Sequence, residues 1–158
     1  MPERSSVAVE ARSNVHPIRL RAVGPEGHLD LAAAVPTGRL SLRVERLRGA
    51  NALEDAELRR LADARTHPLI EGRLTAASPT GEGAYRLAGE VTFRGVTAAV
   101  SGDVTLETLE APPAGEAVLR GAADFDIRDF GLEPPRVLLL RVDPVVTVAI
   151  ELHLAQGT

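Results

Sequence analysis

The chain has no cysteine and no tryptophan, and its 18 basic residues are all arginine. Without cysteine there is no disulfide framework, no thiol nucleophile and no thiolate-bound metal. Aromatic side chains make up only 3% of the residues, with Tyr85, Phe93, Phe125 and Phe130 the whole supply. Any core must therefore be aliphatic, built on Val, Leu and Ala. A basic surplus is missing too. The formal net charge of -4 argues against a general affinity for nucleic acid or anionic membrane, since both need excess positive charge. The longest fully apolar run, Leu31 to Val35, falls far short of the roughly 20 residues that span a bilayer, so no membrane span is expected. The opening Met1-Pro2-Glu3-Arg4-Ser5-Ser6 carries no signal-peptide pattern, and a cytoplasmic location is the expectation.

What the chain does contain is alternation. At 158 residues it has the size of one domain, and residues 1–158 read as a single unit. Apolar and polar residues alternate with period two from end to end, the pattern of half-buried strands. In the clearest stretch, Leu87, Gly89, Val91 and Phe93 share one face, and Arg86, Glu90, Thr92 and Arg94 the other. After Gly95, the residues Val96, Ala98, Val100, Val104 and Leu106 point one way. Residues 117–128 send Leu119, Gly121, Ala123, Phe125 and Ile127 inward, with Asp124 and Asp126 outside, balanced by Arg120 and Arg128. A closing strand, Val145 to Leu154, places Val146, Val148, Ile150, Leu152 and Leu154 inside and His153 outside.

Shorter strands are marked by Val7 and Val9, Ile18 and Leu20, Leu29 and Leu31, Leu40 to Val44, and Ile70 to Ala76. Gly24-Pro25-Glu26-Gly27 reads as a hairpin turn between the second and third of these. One stretch departs from the pattern. Leu53 to Ala64 carries the stripe Leu58, Leu61 and Ala62, acids near its start and Pro68 beyond its end. It reads as an amphipathic helix lying across a barrel mouth or against one side. About nine strands and one helix, with no strand–helix rhythm, predict an all-β antiparallel barrel or sandwich. A barrel of about eight strands is just wide enough for one small ligand.

The inward positions are sparsely filled. Gly72, Ala76, Gly89, Ala98, Gly102, Gly121 and Ala123 all fall on the apolar parity, where a solid core needs bulk. Either an elongated apolar cavity results, or a flattened barrel whose walls approach closely at the glycines. Parity alone does not separate the two. Catalytic chemistry finds little support. His16, His28, His67 and His153 lie on separate elements without metal-ligand spacing. No serine neighbours a histidine in a nucleophilic setting. Asp129-Phe130-Gly131 and Gly81-Glu82-Gly83 lack the partners of the kinase and dinucleotide motifs. No metal, cofactor or enzymatic activity is expected. The alternatives are an interaction barrel without a cavity and a lipocalin-like enzyme acting on a lipid. Charged outer faces argue against a large apolar interface, which leaves a homodimer open.

Four stretches carry a resemblance. They are Tyr85-Arg86-Leu87-Ala88-Gly89-Glu90-Val91-Thr92-Phe93-Arg94-Gly95-Val96-Thr97, Ala122 to Leu132 with Asp129-Phe130-Gly131-Leu132, the helix ahead of His67-Pro68-Leu69-Ile70, and Val142-Asp143-Pro144-Val145-Val146-Thr147-Val148. Their order resembles the YceI-like family of lipid-binding barrels over most of the chain from Leu40 onward. The resemblance implies an elongated, lipocalin-like antiparallel β-barrel whose tunnel takes a long isoprenoid or similar lipid, such as a polyprenyl phosphate or an isoprenoid quinone. Members are commonly exported, a habit this chain's opening residues do not share. The helix departs as well, with Ala, Leu and Glu57 where many members carry aromatic residues and a His. On this reading Leu87, Val91, Phe93, Val100, Phe125, Ile127, Phe130, Val148 and Ile150 line the tunnel, while Gly89, Gly121 and Ala123 make room. Arg128, Arg136 and Arg141 stand near enough to Phe130 in sequence to meet a charged headgroup. Gly121→Leu is then expected to fill the tunnel and leave the fold intact.

Overall fold

The computed structural model describes residues 4–14, 17–30, 36–49, 51–62, 65–108, 116–131, 136–137 and 140–155. Leu31, His16 and the expected loops at 110–115 and 133–135 lie outside the described residues. Alternation gives β1 (Ser6–Ser13), β2 (Ile18–Val23), β3 (Glu26–Asp30), β4 (Thr37–Arg43), β5 (Leu69–Gly81), β6 (Ala84–Phe93), β7 (Val96–Thr108), β8 (Glu116–Asp126), the two-residue β9 (Arg136–Val137) and β10 (Leu140–Ala155), with α1 (Ala52–Ala62) between β4 and β5. Apart from β9, which pairs with the start of β10, the strands form one sheet in the order β2-β1-β10-β8-β7-β6-β5-β4-β3. Every ladder is antiparallel. The sheet curls into a half-barrel with its apolar faces inside. From Val142 to Ile150, half-buried and exposed residues alternate without a break.

The two ends of the sheet meet in one run of chain. β2 and β3 are consecutive, split by Gly24-Pro25; the first half of the run pairs with β1 and the second with β4. Gly24 takes φ 84, a conformation that glycine adopts without penalty, and Pro25 has no N–H for a ladder. The expected hairpin at Gly24 to Gly27 is therefore absent, because each half of the run already has its own partner. Arg21 and Arg48 exchange backbone hydrogen bonds of 3.0 and 2.9 Å, lacing β2 to the chain beyond β4.

Three further departures bear on the interior. β5 shifts register between Leu74 and Ala76. A bulge inserts one residue and swaps the faces beyond it, so Ala77 sits opposite Leu87 while Ala76 is exposed. Ile127 leaves the sheet. Residues Ile127–Phe130 form a 3-10 turn, begun where Asp126 Oδ1 accepts the Arg128 N–H at 2.9 Å and ended by Gly131 at φ 74. β10 starts earlier than expected, at Leu140, and runs through Pro144. That proline falls where the β1 ladder shifts register between Ala11 and Ser13, a place where a missing donor breaks no regular pairing.

Helix α1 opens with Asn51, whose Oδ1 accepts the Glu54 N–H at 2.9 Å, an N-cap that offsets one orphan donor of the first turn. Its Leu58 packs on a cluster of Val7, Ala22, Leu42 and Leu47, so the helix covers a side of the barrel. A second cluster joins Val104, Leu119 and Leu152, with Tyr85, Leu106 and Leu154 against it. On the outer face, opposite charges stand directly across from one another. Arg73 meets Glu90 at 2.8 Å, and Arg120 meets Glu151 at 2.9 Å. Arg120 thus turns to Glu151 and Glu107 and not to Asp124, which accepts the Thr147 hydroxyl at 2.7 Å. Exposed pairs of this kind add a few tenths of a kcal/mol each, roughly, but they oppose register slips.

Candidate ligand cavity

Across the inner face, bulky residues and glycines stand side by side. Leu29 on β3 lies opposite Gly38 on β4. Gly72 on β5 lies between Leu40 and Val91. Gly89 on β6 lies between Leu74 and Val100, and Gly102 on β7 opposite Leu87. Gly121 on β8 lies between Val104 and Ile150. The unfilled space is a cavity of about 300 Å³, at the lower end of the roughly 300–1,000 Å³ common for ligand sites.

Nine of the twelve expected residues line this cavity: Leu87, Gly89, Val91, Val100, Gly121, Ala123, Phe125, Val148 and Ile150. Leu29, Leu40, Gly72 and Leu74 complete the wall on β3 to β5. Alternation on those strands already marked them as inward, but only the register shows that they face the same space. The other three expected residues do not line it. Phe93 lies two residues beyond Val91 on β6, and its ring meets that of Phe130 edge-on, with centroids 5.9 Å apart and planes at 90°. Phe130 is buried, at 6% exposure, and Ile127 is drawn off the sheet by the 3-10 turn.

The glycines divide into two kinds. A Cβ on Gly89 would lie 2.5 Å from the Arg73 carbonyl oxygen, and one on Gly121 would lie 2.6 Å from Val104 Cγ1 and 3.0 Å from the Asp103 carbonyl oxygen. Glycine is needed there for close approach of neighbouring strands. At Gly72 the nearest atom to an added Cβ is the Leu40 carbonyl oxygen at 4.0 Å, so space is open. Close walls and a cavity therefore coexist. Gly121→Leu does not leave the fold untouched; Gly72→Leu is the substitution that fills space.

Polar groups border the end of the cavity away from Phe93. Ser5, His28 and His153 lie along it. His153, expected outside, has a side chain only 14% exposed, and its backbone N–H donates to Ser5 Oγ at 3.0 Å. Among the described residues, no three His, Asp or Glu side chains gather as metal ligands would. No described helix is long and apolar enough to cross a membrane. Arg128 is engaged near Phe130, bound to Asp126 at 2.7 Å. Hydrogen bonds from its side chain, then from its backbone, hold the Asp126 carboxyl below the ordinary carboxylate range. Arg128 is thus committed to Asp126, while the side chains of Arg136 and Arg141 lie outside the described residues.

An antiparallel half-barrel with one side helix and an aliphatic hollow defines a lipocalin-like barrel. The chain belongs to the YceI-like family, whose domain model matches residues 1–154. Solved structures share the fold. A polyisoprenoid-binding domain from Saccharophagus degradans, implicated in plant cell wall breakdown, aligns with TM-score 0.79 and 11% identity over 99% of this chain and 96% of its own. Burkholderia cenocepacia BcnA aligns with TM-score 0.75 and 16% identity over 96% and 97% of the two chains. The Campylobacter jejuni YceI protein aligns with TM-score 0.71 and 12% identity over 93% and 85%. No match was found among curated proteins.

Proposed function

We propose that the chain binds a long apolar or amphiphilic ligand inside the half-barrel, for carriage or sequestration and without catalysis. The ligand class is a polyisoprenoid, an isoprenoid quinone or a similar lipid. One observation carries this reading: an aliphatic cavity persists in the half-barrel, and at Gly72 its wall leaves open space where a filled core would place bulk. The polyisoprenoid-binding description of the Saccharophagus degradans domain, which shares the fold, supports the choice of ligand. Burial of each methylene contributes about 0.8 kcal/mol, so about ten carbons offer roughly 8 kcal/mol before ordering costs. Contact area alone can therefore supply affinity. Catalysis would need a polar group aimed at a reacting atom; Ser5, His28 and His153 border the cavity at one end only, and the inward rows named above carry aliphatic side chains and glycine.

Organic extraction of the purified protein, followed by mass spectrometry, tests the reading. A lipid is expected with the wild-type chain and is expected to be absent from Gly72→Leu, whose thermal unfolding should match the parent closely. Lipid-free wild-type protein that also takes up no added geranylgeraniol would overturn it and favour an interaction barrel.

A further inference from the structure

The cavity's lining stops short of one end of the half-barrel, and that end is built to stay in place. Phe93 and Phe130 are two of the three phenylalanines in the chain, and their rings meet edge-on. Phe93 ends β6 beside a tight turn in which Arg94 and Gly95 take φ 54 and 76, the double left-handed geometry of a type I′ hairpin. Phe130 is held by the 3-10 turn between the Asp126 cap and Gly131, whose N–H donates to the Arg128 carbonyl at 3.0 Å. Leu42 and Ile70 pair on the neighbouring strands. The lining on β6 reaches Val91 and stops short of Phe93. Toward the opposite end, Ser5, His28 and His153 border the cavity.

We propose that the Phe93–Phe130 pair is a floor that sets the length of chain the cavity accepts, so these two rings determine specificity within the lipid class. The inference rests on the lipid-binding reading above. A ligand whose headgroup stays near Ser5 and His153 runs its tail toward the rings, and carbons beyond the floor find nothing to bury against. Affinity then rises with chain length only until the tail reaches the rings.

Delipidated protein titrated with geraniol, farnesol, geranylgeraniol and solanesol, by displacement of a fluorescent polyene, reads that limit directly. The wild-type chain should show affinity that climbs along the series and then stops climbing. Phe93→Ala should move the plateau to the next longer alcohol and strengthen its binding about tenfold, as expected if about two more methylenes are buried. Phe93→Leu should act in the same direction and less. Val91→Phe, which raises the floor by one inward position, should move the plateau to a shorter alcohol; it keeps the question open to refutation if the Phe93 variants fold poorly. An unmoved plateau in the folded variants overturns the floor. Failure of the wild-type chain to bind any of the alcohols overturns instead the lipid-binding reading on which the floor depends.

Discussion

At the Phe93 end of the half-barrel, apolar side chains meet apolar side chains; along the wall from β4 to β10, several of them meet glycine. Leu42 and Leu87 show the contrast with one residue type. Leu42 is buried to 6% exposure in a cluster with Val7, Ala22 and Leu47. Leu87 is half-buried, with the Val104, Leu119 and Leu152 cluster on one side, Gly102 across from it and the cavity before it. Both occupy inward positions on antiparallel strands, so parity treats them alike. The difference lies in what stands beside them. Full packing around Leu42 supplies stability, and glycine beside Leu87 leaves room for something other than protein.

The sharpest test of that contrast pairs the two leucines. Leu42→Ala should destabilise by about 4 kcal/mol, in the range of filled cores, and Leu87→Ala by about 1, because less contact is lost beside an existing hollow. Urea midpoints at constant m-value measure both, and equal losses would erase the distinction between the two regions. Gly89→Val should come next, at about 2 kcal/mol, since its Cβ presses on a backbone carbonyl that has little freedom to move. A harmless Gly89→Val would mean that the wall is loose there.

The smallest effect concerns Asp126, whose carboxyl starts the turn that holds Phe130. Its depressed pKa means that its contribution is present above the unfolded-state value and fades as pH falls through the lower folded-state value. Asp126→Asn should therefore lie slightly below wild type in stability at neutral pH and converge with it in acid. Stability curves that stay parallel down the acid range would separate the turn from that charge.

Much of this was legible in the chain. Alternation located the faces of β6, β7, β8 and β10, and with them nine of the lining residues. It missed what depends on register or on a local break in period. The partner of each glycine is decided across strands, so the alternation of bulk and glycine could not be read along any one of them. At β5 an extra residue exchanged Ala76 for Ala77. At Ile127 the apolar parity continued into a capped turn, and the signal was the Asp126 to Gly131 punctuation rather than hydropathy. Gly24-Pro25 carries the composition of a hairpin turn, yet here it kinks a strand that has partners on both sides of the bend.

The pairing of β1 with β10 reaches beyond the finished molecule. As the polypeptide emerges from the ribosome, β4 through β8 can zip up in order, each strand against the one just made. The β1–β2 hairpin must meanwhile carry a greasy face and a bare edge until the sixteen-residue β10 arrives. Such delayed, long-range closure is slow and invites aggregation, so this chain is most exposed to chaperones and to misassembly in the interval before β10 is made.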